Sequence, residues 1–355
     1  MNINSPRHNL CRVGSCRGQR FSCVTCAISI VLLLLALPPS ASSAPITPFY
    51  TQNQSPTALI FGLPAADRAA TLAAGKFSTL LAVDMANNFA QDKASSEQIL
   101  LDGESYRINL AIRYGITKGI EAGIDIPYII VGGGIFDSFI EGWHSFFGLP
   151  QGGRPAAPRN RLLYQYSKNG QTRLLLNDSG SGPGDIRLSG GMQLYNDELP
   201  NPRQLALRAS LKLPTGDSSG LRGSGSTDFA LWLSGADDYL LPAWGHLTLF
   251  GATGGMALTD GDVLRDQQKN LAGFATLGIG WGPADWIDFK TQLSGHTPFF
   301  QGSDLRELNS PALQLIIGGT LHFSETTSLD IGVSEDVAVN TSPDVAFHLA
   351  LRQIF

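Results

Sequence analysis

The sequence ends in an alternating stretch, Asp344–Phe355, which reads DVAFHLALRQIF. Its two faces carry Val345, Phe347, Leu349, Leu351 and Ala346, His348, Ala350, Arg352, respectively. Because successive side chains of a β-strand point to opposite sides, one face of this stretch suits lipid or an apolar core and the other suits water. The pattern therefore predicts a β-strand with one apolar and one polar face.

The last residue of this stretch is aromatic. A regular strand that ends on phenylalanine resembles the closing strand of a bacterial outer-membrane β-barrel, which the barrel-assembly machinery recognises. We expect the recognised side chains to be Phe347, Leu349, Leu351 and Phe355. Gln353 departs from the pattern, since such signals usually carry an apolar residue at that position.

The composition favours a membrane β-barrel over a helical membrane protein. Hydrophobic residues make up 43 % and charged residues only 15 %, yet the mean hydropathy is +0.02. The apolar residues are therefore spread in alternation rather than gathered in long runs, as they are in transmembrane strands.

The same two-residue period recurs along the chain. With the closing strand it marks about twelve segments of roughly ten residues, the length that a tilted strand needs to cross a bilayer. The other segments are Lys76–Phe89, Tyr106–Tyr114, Ile120–Ile126, Ile186–Leu194, Leu205–Leu213, Asp228–Ser234, His246–Leu258, Leu271–Gly280, Ile287–Leu293, Leu313–Leu321 and Leu329–Val333. Short turns alternate with longer polar connections, one of them near Gln91, as expected for periplasmic turns and outside loops. We therefore expect residues 75–355 to form an all-β, transmembrane, antiparallel up-and-down β-barrel.

One hairpin bears on the number of strands. Tyr164–Leu175 alternates around Asn169-Gly170, which is a strong signal for a two-residue turn. If both arms crossed the membrane, the barrel would have about 14 strands, but arms of about six residues are too short. We expect about 12 strands, with this hairpin in an outside loop.

The first 43 residues read as a signal peptide. They contain a basic region, a short apolar run and a small-residue stretch, namely Arg7, Arg12, Arg17 and Arg20, then Ala27–Leu37, then Ser40–Ala44. The run is shorter than the roughly 20 residues of a transmembrane helix. We expect cleavage after Ser42 or Ser43 and export to the outer membrane of a Gram-negative cell.

All four cysteines lie in this leader, namely Cys11, Cys16, Cys23 and Cys26. The mature chain would therefore have no disulfide, and we expect no metal site and no cofactor. Without the four arginines of the leader, 21 basic residues face 30 acidic ones, a formal charge of −9. This acidic balance argues against nucleic acid as a partner.

Residues 44–74 are rich in proline and alanine and do not alternate. They can form an ordered N-terminal periplasmic extension against the barrel, or a plug that enters it. The sequence leaves both arrangements open.

A second non-alternating stretch follows the third predicted strand. Its aromatic and aliphatic residues recur at helical spacing, which predicts an amphipathic helix in a long outside loop. They are Phe136, Phe139, Ile140, Trp143, Phe146 and Phe147. Such a helix can lie in the outer leaflet, cover the barrel mouth, line a site for a hydrophobic solute, or pack against its own loop.

Charged residues occupy the strand faces opposite the apolar ones. They are Arg107, Arg113, Glu121, Asp125, Asp185, Arg187, Arg208, Lys212, Asp228, Asp288, Lys290, Asp330, His348 and Arg352. Because a lysine or arginine facing lipid costs roughly 2–4 kcal/mol at the bilayer midplane, we expect these side chains to line the lumen. A lumen of mixed sign can hold water or close through its own ion pairs.

Several motifs resemble known outer-membrane proteins. The stretches Pro48–Pro56, Ile60–Pro64, Phe139–His144 and Phe147–Arg154 resemble a bacterial outer-membrane family catalogued as domain of unknown function 3187. More distantly, Gly182–Asp185 (GPGD) and Leu211–Asp217 (LKLPTGD) resemble barrels assigned to transport in phenol degradation pathways. The resemblance implies an outer-membrane barrel and carries no catalytic residues.

Three functions compete. The first, which we favour, is a channel for the passive passage of small molecules, among which hydrophobic ones are an option. The second is a structural or assembly barrel with a closed lumen. The third is a lipid-modifying enzyme, for which His246, His296, His322 and His348 are available but no serine lies in a nucleophile motif, so we expect no enzyme and no catalytic residue.

The expected partners follow from the expected location. They are outer-membrane lipid, lipopolysaccharide, the barrel-assembly machinery and an unidentified small solute. Arg154, Arg159 and Arg161 cluster in the long loop, where they can bind lipopolysaccharide phosphates or remain solvated.

Overall fold

The computed structural model describes residues 45–136, 138, 142, 145, 158–197, 201–337 and 341–355. Its fifteen strands are β1 Phe77–Lys93, β2 Glu97–Thr117, β3 Ile120–Gly132, β4 Leu163–Lys168, β5 Gln171–Leu176, β6 Gly180–Pro183, β7 Arg187–Asp197, β8 Arg203–Lys212, β9 Asp228–Leu241, β10 Gly245–Leu258, β11 Leu271–Ala284, β12 Ile287–His296, β13 Ala312–His322, β14 Thr327–Asp336 and β15 Val345–Ile354. The helical elements are α1 Pro56–Leu59, α2 Arg306–Asn309 and a 3₁₀ turn at Arg265–Gln267. Among the described residues, no helix is long and apolar enough to cross a membrane.

Twelve of these strands form a closed antiparallel barrel, here called the barrel wall. They are β1 to β3 and β7 to β15, each paired with its neighbour. Closure is made by β1 and β15, which pair from Ser78↔Ile354 to Asn87↔Val345. The Phe355 N–H also donates to the Phe77 carbonyl oxygen at 2.8 Å, and the two rings stack with centroids 4.4 Å apart. The prediction of a 12-stranded barrel is confirmed, and closure leaves the wall without a free edge.

The remaining strands lie outside the wall. The β4–β5 hairpin turns at Asn169 and Gly170, both with positive φ, as a two-residue turn requires. Strand β4 pairs with the first six residues of β2, from Glu97↔Lys168 to Asp102↔Leu163. Strand β6 pairs with the end of β3. The hairpin predicted to stand in an outside loop therefore does so, and 14 wall strands are excluded.

The two ends of the barrel differ in their connections. Short turns join β2 to β3, β9 to β10, β11 to β12 and β13 to β14, and we call this the short-turn end. The opposite, long-loop end carries the longer connections. One expectation for that end was wrong: near Gln91 a longer polar connection was predicted, but β1 continues to Lys93 and β2 starts at Glu97. Residues 90–93 of β1 pair with residues 98–101 of β2, which lengthens the wall, and the same end of β2 pairs with β4.

The strand faces separate apolar from polar side chains. In β15, Leu349 and Leu351 are 38 % and 44 % exposed on the outer face, whereas His348 and Ala350 are 3 % and 2 % exposed on the inner face. Most other large exposed apolar residues, such as Leu277, lie on the outer face of wall strands. An apolar exterior around a polar interior is the arrangement of a transmembrane barrel.

Candidate functional site in the barrel lumen

The lumen is occupied by residues 45–74, here called the inner segment. The Ile46 N–H donates to Thr248 Oγ1 at 3.0 Å, near the short-turn end. Farther along the segment, Asn53 contacts His296, the last residue of β12, at the long-loop end. The Leu72 N–H donates to Glu121, near the short-turn end again. The inner segment therefore passes up the lumen, turns and returns.

The local sequence explains this path. Four prolines, at Pro45, Pro48, Pro56 and Pro64, remove backbone donors and fix φ, so the segment cannot extend the sheet ladder. Pro56 instead starts the four-residue helix α1, which forms the turn at the tip. All four residues of α1 are buried.

Wall side chains hold Phe49 on the ascending pass. Its N–H donates to Gln292 Oε1 at 2.8 Å. The Lys290 ammonium lies 4.1 Å from the centre of the Phe49 ring, and the His348 ring meets it edge-on at 6.0 Å. A cation over an aromatic face is most favourable when both are desolvated, as they are here.

The next contact joins β1 and β15 to the inner segment. Thr51 Oγ1 donates to Asp84 Oδ1 at 2.7 Å, and His348 Nδ1 lies 2.7 Å from the same oxygen. One buried carboxylate thus links the inner segment to the two strands that close the wall.

Asn53 fixes the segment at the long-loop end. The Ser55 N–H donates to Asn53 Oδ1 at 2.9 Å, which orients the amide. Its Nδ2 then donates to Thr341 O at 2.8 Å and to His296 Nε2 at 2.9 Å. His296 Nε2 must therefore be an acceptor and Nδ1, 2.8 Å from Thr297 O, the donor.

The tip of the inner segment lies in an apolar cluster at the long-loop end. The Phe61 ring stacks on Phe299 at 4.5 Å and meets Phe300 edge-on at 5.5 Å. The cluster also contains residues of the tip, the wall, the hairpin and the loops, including Ala58, Leu59, Ile60, Leu63, Ile99, Leu101, Tyr164, Tyr166, Leu221, Trp232, Met256, Leu264, Leu305 and Leu308. The tip therefore completes a core that otherwise belongs to the barrel and its loops.

A polar cluster engages the backbone beside the tip. The Gly62 N–H donates to Asp228 Oδ2 at 2.7 Å. The Lys212 ammonium lies 2.7 Å from Asp185 and 3.2 Å from Asp228, and donates to Ser224 Oγ at 2.5 Å. It also donates to the Ile60 carbonyl oxygen at 3.3 Å. These wall groups thus satisfy the backbone of a loop that makes no strand ladder.

The descending pass meets an ion-paired cluster of wall residues. Arg113 Nη1 lies 2.6 Å from Asp125, and Arg208 Nη1 lies 2.7 Å from Glu121. The Asp67 carboxylate of the inner segment lies 3.4 Å from Arg113 Nε and 3.8 Å from Arg208 Nη1. Asp67 is held by charge, since neither arginine makes a hydrogen bond to it within the described structure.

Backbone contacts complete the descending pass. Arg187 Nη2 donates to the Leu63 carbonyl oxygen and Arg208 Nε to the Arg68 carbonyl oxygen, both at 2.9 Å. At the exit, a Cβ added to Gly115 would lie only 2.1 Å from the Ala73 carbonyl oxygen. The segment therefore leaves the lumen in close backbone contact with β2.

The loops form a cap over the long-loop end, here called the outer cap and comprising β4–β5 and residues 261–268 and 297–310. Glu97 links the hairpin to residues 297–310: it pairs with Lys168 at 2.6 Å and accepts from Ser303 Oγ at 2.5 Å. Burial raises the pKa of the Glu97 carboxyl, but hydrogen bonds from Lys168 and Ser303 lower it more, so the pKa lies below its usual value.

The residues predicted to line the lumen are all buried. They are Arg107, Arg113, Glu121, Asp125, Asp185, Arg187, Arg208, Lys212, Asp228, Asp288, Lys290, Asp330, His348 and Arg352. Several pair with each other, and several bind the inner segment. Their role in transport stays a prediction.

The sequence did not identify the inner-segment partners of these charges. Asp67 and Arg68 are the only charged residues in residues 45–74, and they lie beside Arg113 and Glu121 of the wall, respectively. That isolated pair within an uncharged stretch was the signal available.

The predicted loop helix falls largely outside the described residues, namely at Phe139, Ile140, Trp143, Phe146 and Phe147. Phe136 is described, and its ring lies 6.4 Å from those of Tyr106 and Phe347. Of the loop arginines, Arg154 is not described, and Arg161 pairs with Asp102 through two 2.7 Å contacts. Both contacts are made to Asp102 Oδ2, and this pairing makes Arg161 less available to lipid phosphates.

The four histidines of the strands contact acidic or amide side chains. His246 contacts Asp238, His322 contacts Asp288, and the other two histidines of the strands contact Asp84 and Asn53. Within the described ranges, no serine hydroxyl hydrogen-bonds any of them. In the same ranges, no group of three or more His, Cys, Asp or Glu side chains could hold a metal ion.

A family model described as "Protein of unknown function (DUF3187)" matches residues 24–355. The chain belongs to the DUF3187 family. The resemblance drawn from its motifs is confirmed. No curated protein matches this DUF3187 chain.

Solved structures similar to the DUF3187 chain include channels and a porin. An outer membrane channel from Pseudomonas putida F1 is 12 % identical with a TM-score of 0.50, covering 80 % of this chain and 97 % of that one. The NanC porin is 7 % identical (TM-score 0.40; 78 % and 98 % covered), and the CymD monoaromatic hydrocarbon channel is 10 % identical (0.33; 80 % and 89 %). At such identities the likeness concerns the fold, which matches that of Gram-negative outer-membrane barrels.

Proposed function

We propose that this protein is an outer-membrane channel whose lumen is closed by the inner segment and opens when that segment is displaced. The observation that carries the proposal is that the inner segment is bound to the wall chiefly through side chains. It makes no strand pairing within the lumen. It can therefore leave without breaking the sheet.

The barrel wall keeps its charge pairs when the inner segment is removed. Arg113–Asp125, Arg208–Glu121 and Lys290–Asp330 join wall residues at 2.6 to 3.0 Å, and Lys212 pairs with Asp185, just before β7, at 2.7 Å. An unpaired buried charge would cost several kcal/mol, so this self-pairing allows an emptied lumen to stay folded and wetted. A barrel that needed the segment for its charge balance would resist opening.

The space that the inner segment vacates is large enough for a small organic molecule. Two passes of chain lie side by side there, and a chain with its side chains is roughly 10 Å across. The passage begins among Phe299, Phe300 and Trp232 at the long-loop end. An aromatic entrance favours solutes with an apolar part.

The location follows the same proposal. The signal peptide directs the chain out of the cytoplasm, and the barrel inserts in the outer membrane with its long loops outside. Phe347, Leu349, Leu351 and Phe355 lie along the closing strand, where the assembly machinery would read them. Outer-membrane lipid and lipopolysaccharide surround the apolar exterior.

A reversible lock tests this proposal. An ideal Cβ at Gly62 lies 3.0 Å from the Asp228 Cβ, just under the usual disulfide range of about 3.5–4.5 Å. The double variant Gly62→Cys with Asp228→Cys should therefore fix the tip when oxidised. In planar bilayers we expect no conductance from the oxidised protein and openings after a reductant is added.

The matched controls are the two single cysteine variants, which should not respond to reductant. A further variant lacking residues 45–74 should conduct continuously. If that variant assembles as a barrel yet stays silent, the channel is refuted in favour of a structural barrel with a closed lumen. Product formed from phospholipid or lipopolysaccharide by the purified protein would instead support the enzyme alternative.

A further inference from the structure

The Asp67 position lies in an arginine-lined part of the lumen. The wall arginines there are Arg113, Arg187 and Arg208, here called the arginine cluster, and each lies within 4.0 Å of a carboxylate. In the described structure their wall partners are two, Glu121 and Asp125. The inner segment adds Asp67 and Arg68, which are opposite in sign, so their departure leaves this wall cluster with one arginine in excess.

A second observation is independent of the charge count. A small cavity of about 10 Å³ adjoins Asp67, with room for roughly one water molecule. Among its lining residues, the buried Arg113 Nε, Arg187 Nε, Ser189 Oγ and Trp232 Nε1 have no hydrogen-bond partner in the described structure. All four can donate. Donors without acceptors on residues that line one cavity fit a ligand that accepts hydrogen bonds.

The contacts of Asp67 itself are weaker than this environment allows. Its Oδ1 accepts from the Arg68 N–H at 2.8 Å, but Oδ2 stays 3.4 Å and 3.8 Å from the two nearest arginines. A carboxylate free to rotate could form a bidentate hydrogen-bonded pair, which is roughly twice as strong as a neutral contact. Asp67 is therefore a displaceable occupant.

We infer that the arginine cluster is a binding site for the carboxylate of a passing solute, and that Asp67 occupies it while the channel is closed. The solute class is an organic carboxylate with an apolar body. The apolar part would meet the aromatic tip cluster first, and the carboxylate would then reach the arginines farther along the lumen. This inference rests on the proposed function, because a solute reaches the site only after the inner segment moves.

The test uses the full chain and an accessibility reporter. Ser55→Cys replaces a buried tip hydroxyl by a thiol of similar shape, and the chain beyond the leader has no other cysteine. Asp67→Ala in this background removes the occupant and leaves its space. Because the closed state then loses the attraction between Asp67 and the two arginines, which the displaced state lacks in any case, maleimide labelling should accelerate about tenfold.

The decisive step is chemical rescue. Acetate should slow the labelling of the Asp67→Ala protein towards the parent rate, and acetamide should not. In the Asp67→Asn protein the amide fills the space, so acetate should have no effect there. Asn53→Ala serves as the matched control, because it loosens the segment at His296 and Thr341, away from the arginine cluster, and acetate should leave its rate unchanged.

The inference is overturned if acetate fails to protect the Asp67→Ala protein, or protects the Asn53→Ala protein equally. Heat-modifiable migration on gels confirms that each variant has assembled. If Asp67→Ala does not assemble, the effects of benzoate and benzyl alcohol on labelling are compared in the Ser55→Cys parent. Only benzoate should accelerate the labelling, because only benzoate carries a carboxylate. Equal effects of the two compounds would overturn the carboxylate site. Labelling does not depend on ion flow, so the two proposals can fail separately. A barrel that does not conduct, but whose labelling acetate slows, would refute only the channel. A barrel that conducts, but whose labelling acetate does not slow, would refute only the carboxylate site.

Discussion

The first prediction concerns Phe61, whose ring fixes the inner segment in the tip cluster. It is 1 % exposed and contacts Phe299 and Phe300 at ring distances of 4.5 Å and 5.5 Å. Replacing a buried phenylalanine by alanine costs about 3–5 kcal/mol. The displaced state makes none of these contacts, so Phe61→Ala should weaken the closed state by that amount.

This energy converts directly into a population. Each 1.4 kcal/mol is about tenfold, so the displaced state should become about a hundred- to a few-thousandfold more populated. The assay is maleimide labelling of Ser55→Cys, measured where opening and closing are fast relative to labelling. The same variant should raise the open probability in planar bilayers.

The matched control for Phe61→Ala is Phe289→Ala. Phe289 is half exposed on the outer face of β12, where it stacks on Trp281 at 5.9 Å and cannot reach the lumen. Its removal should leave the labelling rate of Ser55→Cys within about twofold of the parent. A Phe61→Ala rate this close to the parent would refute the view that the tip cluster holds the channel closed.

Three further predictions test other contacts. Gly115→Ala should speed the labelling of Ser55→Cys, because its Cβ would lie only 2.1 Å from the Ala73 carbonyl oxygen. Gly190→Ala, whose Cβ would lie 3.9 Å from its nearest atom, should not. Equal rates for the two variants would contradict the close contact between the inner segment and β2. Since the pKa of Glu97 lies below 4.5, its link to Lys168 should be complete above that pH and lost as pH falls through the lower folded value. Hydrogen exchange in β4, corrected for intrinsic rates, should therefore rise only at acid pH, and Glu97→Gln should show the raised rate throughout. Deleting Phe355 should lower the yield of heat-modifiable barrel, since stacking on Phe77 is lost, while Phe355→Tyr should not; unchanged yield after deletion would contradict a closing role.

The sequence by itself determined the barrel. In β15 and its eleven wall partners, the two-residue period decides which side chains meet lipid, and a one-residue slip would place Arg352 and His348 there. The strand count also followed from local properties, since the arms around Asn169-Gly170 are too short to cross. These features are local because each strand carries its own pattern.

Only the tertiary structure decided what fills the lumen. Residues 45–74 have no periodicity, so nothing local distinguishes a plug from an extension beside the barrel. The choice depends on contacts such as Asn53 with His296 and Asp67 with Arg113, between residues far apart in the chain. The wall charges can line open water or bind a buried chain. Each strand presents the same alternating face in both cases, so only the assembled barrel decides between them.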